Sequence, residues 1–301
     1  MNFSAPGKLF LLGEYAVLEG GPALLVPVRQ RARVTLDQSQ GHVTSITDQR
    51  EKLAWTEAAQ KWPLLTSVQK ILETDSLQGQ SLTLDTSEFF QHGQKLGLGS
   101  SAALTVALVK ACHPADSSEE LWRLADACHR HFQGGIGSGA DIALAAMDQP
   151  VRFSMDVGPE PISLPDDLHM LAIWTGQPAS TTALVGSMQD YRARHPTGYN
   201  TRMTSLIDIA EQCLDAVSDQ DTRQILARIE QYDRQLYDLS SESGVNFYNQ
   251  LHENMRKKVK LTYKPSGAGG GDFGIAYSTD PDEITALAKK LKEEQTFSFV
   301  L

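Results

Sequence analysis

The sequence is poor in cysteine and lacks any cysteine pattern. Its three, Cys112, Cys128 and Cys213, stand singly within helical stretches, with no CxxC spacing. A disulfide framework is therefore not expected, and the thiols read as buried structural residues of a protein in reducing cytoplasm. A basic excess is also missing. The formal net charge is −10, which argues against nucleic acid as a partner. It does not exclude an anionic substrate, because local cations can dominate a cleft. No run approaches the roughly 20 apolar residues that span a bilayer. The opening MNFSAPGKLFLLGEY has no basic n-region and carries an early lysine and glutamate, so it reads as a strand and not as a signal peptide. The segment GLGSSAA has neither the GxxxxGK[ST] spacing of a P-loop nor the GxGxxG of a dinucleotide fold.

Glycine is concentrated instead in two other loops. Residues Lys264–Gly274 read KPSGAGGGDFG, with five glycines. Such a run lets backbone lie close against a ligand and gives the chain access to positive φ. The second loop, GLGSSAA at Gly97–Ala103, opens directly into the apolar run Leu104–Ala111. A glycine-rich turn feeding a helix presents free N–H groups and the positive end of the helix dipole, which suits phosphate. Two such loops make a nucleotide-using enzyme the leading reading.

The chain of 301 residues, with 41% apolar and 21% charged residues, fits two soluble domains. Strands are expected at Phe3–Leu12, Ala23–Val28, Arg31–Leu36, Val43–Ile46, Ser81–Leu84 and Val151–Met155, with a turn at Gln40–Gly41. Helices are expected at Thr56–Thr74, Gly99–Ala111, Ser118–His131 and Ile142–Met147, the third with Ser117 and Ser118 offering an N-cap ahead of acids in its first turn. Pro159–Asp167 is the candidate linker. Beyond it come a buried strand at Met170–Trp174 and helices near Thr181–Arg194, Met203–Ser218, Thr222–Leu239 and Phe247–Lys257. Strands at Leu261–Lys264 and Gly274–Ser278 flank the glycine run. A helix at Pro281–Glu294 and a strand at Thr296–Leu301 close the chain. Without regular βαβ alternation, this pattern reads as two α+β domains, residues 1–158 and 168–301.

Three motifs, in order, resemble the GHMP kinase superfamily of small-molecule kinases, which includes galactokinase, homoserine kinase and mevalonate kinase. They are APGKLFLLGEYAVLEGGPAL at Ala5–Leu24, KLGLGSSAA at Lys95–Ala103 and SGAGGGDFGIA at Ser266–Ala276. Within the superfamily the chain is most similar to the phosphomevalonate kinase branch, through WTGQPAST at Trp174–Thr181, SGAGGGD at Ser266–Asp272 and QGGIGSGADIA at Gln133–Ala143. The resemblance implies an N-terminal ribosomal protein S5 domain 2-like domain carrying the phosphate loop. It implies a C-terminal ferredoxin-like domain carrying the SGAGGGD loop, and an active site in the cleft between them. The cofactors implied are ATP and Mg2+. The partner implied is a small phosphorylated acid, 5-phosphomevalonate, and the protein would be a monomer or a homodimer.

The resemblance also assigns roles to residues. Lys8 and Asp141 become the catalytic pair: the ammonium stabilises charge on the transferred group, and the carboxylate orients the acceptor. From position alone, Lys8 reads as a solvated strand lysine and Asp141 as an acid at a helix start. Lys95, Gly97, Leu98, Gly99, Ser100, Ser101 and Ala102 would hold the nucleotide, with the Ser101 hydroxyl on Mg2+. A serine N-cap explains the same serines without a ligand. Glu14, Tyr15, Ser138, Gly139, Ser180, Thr181, Ser266, Gly267, Ala268 and Gly269 would line the acceptor site. Capping is the competing account of Ser180 and Thr181. Arg192 and Arg194 read as a solvated face.

One position departs from the pattern. Where mevalonate kinases carry a glutamate that helps bind Mg2+, this chain has His129. Imidazole is a poor ligand for a hard cation, which leaves the second protein ligand open. Contact of His129 with the acceptor's phosphate and a half-buried helix histidine are the two other readings. Two further functions stay open on the sequence: mevalonate kinase activity, and a non-catalytic regulator on the same fold.

Overall fold

The structure, a computed structural model, describes residues 1–37, 41–135 and 137–301. The turn expected at Gln40, and Ile136 within the QGGIGSGADIA stretch, lie outside them. The chain forms two compact units, Met1–Lys8 with Val26–Val151, and Leu9–Leu25 with Arg152–Leu301.

The elements of the first part of the chain are β1 (Asn2–Leu12), β2 (Ala23–Asp37), β3 (His42–Ile46), β4 (Arg50–Ala54), α1 (Trp55–Lys61), α2 (Pro63–Ile71), β5 (Ser81–Asp85), β6 (Phe90–Gln91), β7 (Gln94–Lys95), α3 (Ser100–Cys112), α4 (Ser118–Gln133) and α5 (Ala140–Met147). The sheet runs β4-β3-β5-β2, with β1 also paired to β2. β3 and β5 are parallel, from Val43↔Leu82 to Ile46↔Asp85, while β3 with β4 and β2 with β5 are antiparallel. In β2, Ala32, Val34 and Leu36 are buried between more exposed neighbours, which is the period-two signature of a strand buried on one face. The two strands expected at Ala23–Val28 and Arg31–Leu36 are in fact this one continuous strand.

The helix expected over Thr56–Thr74 is two. Pro63 disfavours the helical conformation at the residue before it, and Trp62 sits at φ −117°, ψ 83°, leaving Pro63 as the first residue of α2. α3 is buried almost all round, with Ala103, Val106, Ala107, Leu108 and Val109 fully inaccessible, and packs against α2, α4 and α5. α4 starts as expected: Ser117 Oγ accepts from the Glu120 N–H at 3.1 Å. It ends at Gly134 in the left-handed conformation.

The second part contains β8 (Val151–Ser154), β9 (Gly158–Pro161), β10 (His169–Trp174), α6 (Thr181–Arg194), α7 (Pro196–Ser218), α8 (Thr222–Ser243), α9 (Gln250–Val259), β11 (Thr262–Pro265), β12 (Phe273–Ser278), α10 (Pro281–Glu293) and β13 (Ser298–Val300). The start of the expected linker is thus the strand β9, and α7 begins at Pro196, seven residues before the expected Met203. The sheet order is β11-β12-β10-β13, antiparallel throughout. Alternation puts Leu171, Ile173, Tyr263 and Ala276 in one core with Met255 and Val259 of α9 and Ile284, Leu287 and Leu291 of α10. The α+β class expected from the sequence is the class observed.

Candidate active site

In the first unit, β1 carries Lys8 beside the glycine loop. The Lys8 N–H donates to the Leu98 carbonyl at 2.9 Å. A Cβ on Gly7 would lie 2.6 Å from that same carbonyl oxygen, so only glycine lets the two segments meet this closely. Leu98 is fully buried. Its side chain anchors the loop in the core while its backbone faces Lys8.

The Lys8 ammonium lies 3.6 Å from Asp141 Oδ1, with the lysine side chain 11% exposed and the aspartate 37%. Gly99, at φ +77°, is the residue before α3. A Cβ there would stand 3.3 Å from Asp141 Oδ2 and from Lys8 Cε and Cγ. The bare backbone of the loop therefore lies directly against the ion pair. Gly97 also takes a positive φ, +75°. Ser100 is buried and Ser101 half-buried at the start of α3, Ala102 is buried, and Lys95 is exposed on β7. The structure thus brings Lys8, Leu98, Gly99 and Asp141 together. A cation held beside a carboxylate can neutralise a developing anion.

Ser101 Oγ is 3.3 Å from His129 Nε2. His129 is 8% exposed, and burial lowers its pKa from the ordinary value against the opposing pull of Asp141 and Asp126. Gly139, at φ +85°, precedes α5 and places Asp141 in its first turn. A Cβ on Gly139 would lie 2.7 Å from Asp126 Oδ1. Arg130 bridges this turn, bonding Asp126 at 2.6 Å and the Ser138 carbonyl at 3.3 Å.

In the second unit, Glu14, Tyr15 and Ser266 are committed to the SGAGGGD loop. Ser266 Oγ accepts from the Phe10 N–H and donates to the Phe10 carbonyl, both at 2.9 Å. The Tyr15 hydroxyl donates to the Ala268 carbonyl at 2.7 Å, and its ring packs 4.8 Å from that of Phe247. Glu14 Oε1 accepts from the Gly267 N–H at 3.2 Å and from the Lys264 ammonium. The glycines approach protein closely. A Cβ on Gly269 would meet the Phe247 carbonyl at 2.5 Å, and one on Gly271 the Gln177 carbonyl at 2.6 Å. Asp272 Oδ1 accepts from the Ala179 N–H at 3.0 Å, just before α6, where Ser180 caps through Ala183 N–H at 3.4 Å and Thr181 is exposed.

Three residues to which the sequence reading gave no role shape this second loop. Lys264 is fully buried, and His252, also inaccessible, reaches the Gly271 carbonyl at 3.1 Å and the Tyr263 hydroxyl at 3.0 Å. Asn249 Nδ2 donates to the Gly270 carbonyl at 2.9 Å. The histidine and asparagine sit on α9 and its cap, well before the SGAGGGD loop in sequence, so no local pattern ties them to it.

Comparison with known proteins gives the chain's relatives. The model of the GHMP kinases N terminal domain matches residues 68–149. The phosphomevalonate kinase of Streptomyces sp. (strain CL190) is 30% identical, over 90% of this chain and 88% of that protein. Among solved structures, the Lin0012 protein from Listeria innocua is 25% identical with a TM-score of 0.84, over 99% of this chain and 96% of that one. The Streptococcus pneumoniae phosphomevalonate kinase in complex with phosphomevalonate and AMPPNP is 21% identical with a TM-score of 0.81, covering 100% of both chains, a likeness of fold. With a glycine loop lying on a lysine–aspartate pair, and with a relative this similar along nearly its whole length, the chain belongs to the GHMP kinase family of small-molecule kinases.

Proposed function

We propose that the protein transfers the γ-phosphoryl group of ATP to 5-phosphomevalonate, giving 5-diphosphomevalonate, with Mg2+ as the metal of the nucleotide. The observation that carries this reading is the Lys8–Asp141 pair at 3.6 Å under the backbone of Gly99. The acceptor comes from the relatives, since both the Streptomyces protein and the Streptococcus pneumoniae structure are phosphomevalonate kinases.

The residues present fit the nucleotide and its metal. The left-handed Gly97 and Gly99 leave a cradle of backbone N–H groups at the start of α3, where the helix dipole favours phosphate. Among the described residues no group of three or more His, Cys, Asp or Glu forms a metal site. The Ser101 hydroxyl is the protein oxygen that would hold Mg2+, with phosphate oxygens and water as the rest of its shell. Once bound, Mg2+ supplies neutralisation of charge on the triphosphate.

The acceptor phosphate is already an anionic nucleophile near neutral pH. Asp141 then has no need to act as a strong base. It orients the acceptor and holds Lys8, whose ammonium offsets charge on the group in flight, so catalysis is mainly alignment plus electrostatics. Ser180 and Thr181 open α6, and hydroxyls and N–H groups at a helix start suit a phosphate.

The test is ADP release coupled to a colour reaction, with phosphomevalonate and mevalonate as parallel acceptors. Turnover with phosphomevalonate is expected. Greater turnover with mevalonate would reassign the acceptor, and nucleotide binding without turnover on either would point to a regulator.

A further inference from the structure

We propose that His129 is a positioning residue that fixes the Ser101 hydroxyl, accepting its hydrogen bond so that the oxygen's lone pairs face the nucleotide's cation. The inference rests on the kinase reading above and names how this chain completes the metal site without the glutamate expected there.

A hydroxyl that ligates a cation cannot aim its hydrogen at that cation. The hydrogen needs an acceptor elsewhere, or the oxygen rotates among three staggered positions and loses its preorganisation. In this structure Ser101 Oγ has His129 Nε2 at 3.3 Å. The Ser101 carbonyl is engaged separately, by the Thr105 hydroxyl at 2.8 Å, so the side chain is the part still to be oriented.

His129 is built to stay in place. It lies on α4, which packs along both α3 and α5, the helices that carry Ser101 and Asp141. Its ring is buried and rests 5.9 Å from that of Phe132 on the same helix. A carboxylate at this position would bind the cation itself. An imidazole instead reaches it through the serine, in the manner of an outer partner that orients a metal ligand.

The readout is binding of AMPPNP by calorimetry, with Mg2+ and with EDTA, in the full-length protein. His129→Phe keeps a ring but removes the acceptor. It is expected to weaken Mg2+-dependent binding by about tenfold, the lower end for loss of an outer partner, and to leave metal-free binding unchanged. His129→Gln can place an amide oxygen near the former Nε2 and is expected to recover most of the loss. Adding His129→Phe to Ser101→Ala is expected to cost nothing more. An equal loss with and without Mg2+, no recovery by glutamine, or additive losses in the double variant would each overturn the proposal. Nucleotide binding is read without any acceptor. A protein that fails on phosphomevalonate but shows this metal-dependent pattern would sink the acceptor assignment and leave the inference standing. A wild type that binds no nucleotide would end both.

Discussion

Glu14 and Lys264, 250 positions apart, form an ion pair from which water is excluded, at 2% and 0% side-chain exposure. The ammonium also donates to the Pro265 carbonyl at 2.5 Å and lies 5.9 Å from the centre of the Tyr232 ring. The Tyr232 hydroxyl in turn donates to the Glu14 carbonyl at 2.6 Å. Burying both charges is expensive, so such a pair is poor as a source of stability, yet breaking it strands one charge. Lys264→Met is expected to destabilise the protein by about 3–5 kcal/mol. Adding Glu14→Gln to it should restore much of that. Urea unfolding of the two variants decides the matter, and a double variant no better than the single one would show that the pair is not the unit.

Gly99 tests the contact between the loop and the pair. Gly99→Ala forces a side chain into a left-handed backbone, at a cost of roughly 1–2 kcal/mol, and sets a methyl 3.3 Å from both Lys8 and Asp141. A modest fall in Tm with a drop in kcat of tenfold or more is the expected outcome. A variant with normal turnover would show that the loop backbone is not in the reacting geometry.

The catalytic pair predicts a split between rate and affinity. Asp141→Ala should lower kcat by about a hundredfold or more while KM for the acceptor changes little, the pattern of a group used in the transition state. Lys8→Met should be at least as damaging. Steady-state kinetics with phosphomevalonate checks both.

His252 predicts an acid-sensitive second unit. Burial lowers its pKa from 6.5 to about 4, so the native state holds the neutral ring more firmly than the unfolded chain does. Its contribution is complete above pH 6.5 and is lost as pH falls toward 4, a loss of roughly 3 kcal/mol over that window. Asp233 works against it. Burial raises that carboxyl from 3.8 to about 6, so its contribution is complete below 3.8 and is lost as pH rises through 6. Urea unfolding from pH 7 to 4 should therefore show a steeper acid loss in Asp233→Asn and a shallower one in His252→Gln.

The thiols predict indifference to alkylation. Burial pushes Cys112 up to about 12, Cys128 to about 11 and Cys213 to about 12. Thiolate is the reactive form, so iodoacetamide at pH 7 should leave kcat unchanged.

The sequence by itself determined what neighbours along the chain decide. Gly97 and Gly99 mark a turn because positive φ is cheap only there. Ser117 with the acids behind it marks a helix start because one hydroxyl satisfies an N–H three residues on. Pro63 carried the signal for a helix break, which the run of apolar residues around it outweighed in the expectation over Thr56–Thr74. The order of three glycine-bearing motifs was enough to suggest the family.

Only the tertiary structure decided that Lys8 meets Asp141, that Ser101 meets His129, and that Lys264 is buried against Glu14. A lysine carries the same local pattern whether it ends in water or beside a carboxylate. Which it does depends on how β1 pairs with its neighbours and how α3, α4 and α5 stack their apolar faces, contacts between residues that share no local signal. The same packing turned the glycines of the SGAGGGD loop toward Phe247, Gln177 and Leu184, partners that no spacing within the loop could name.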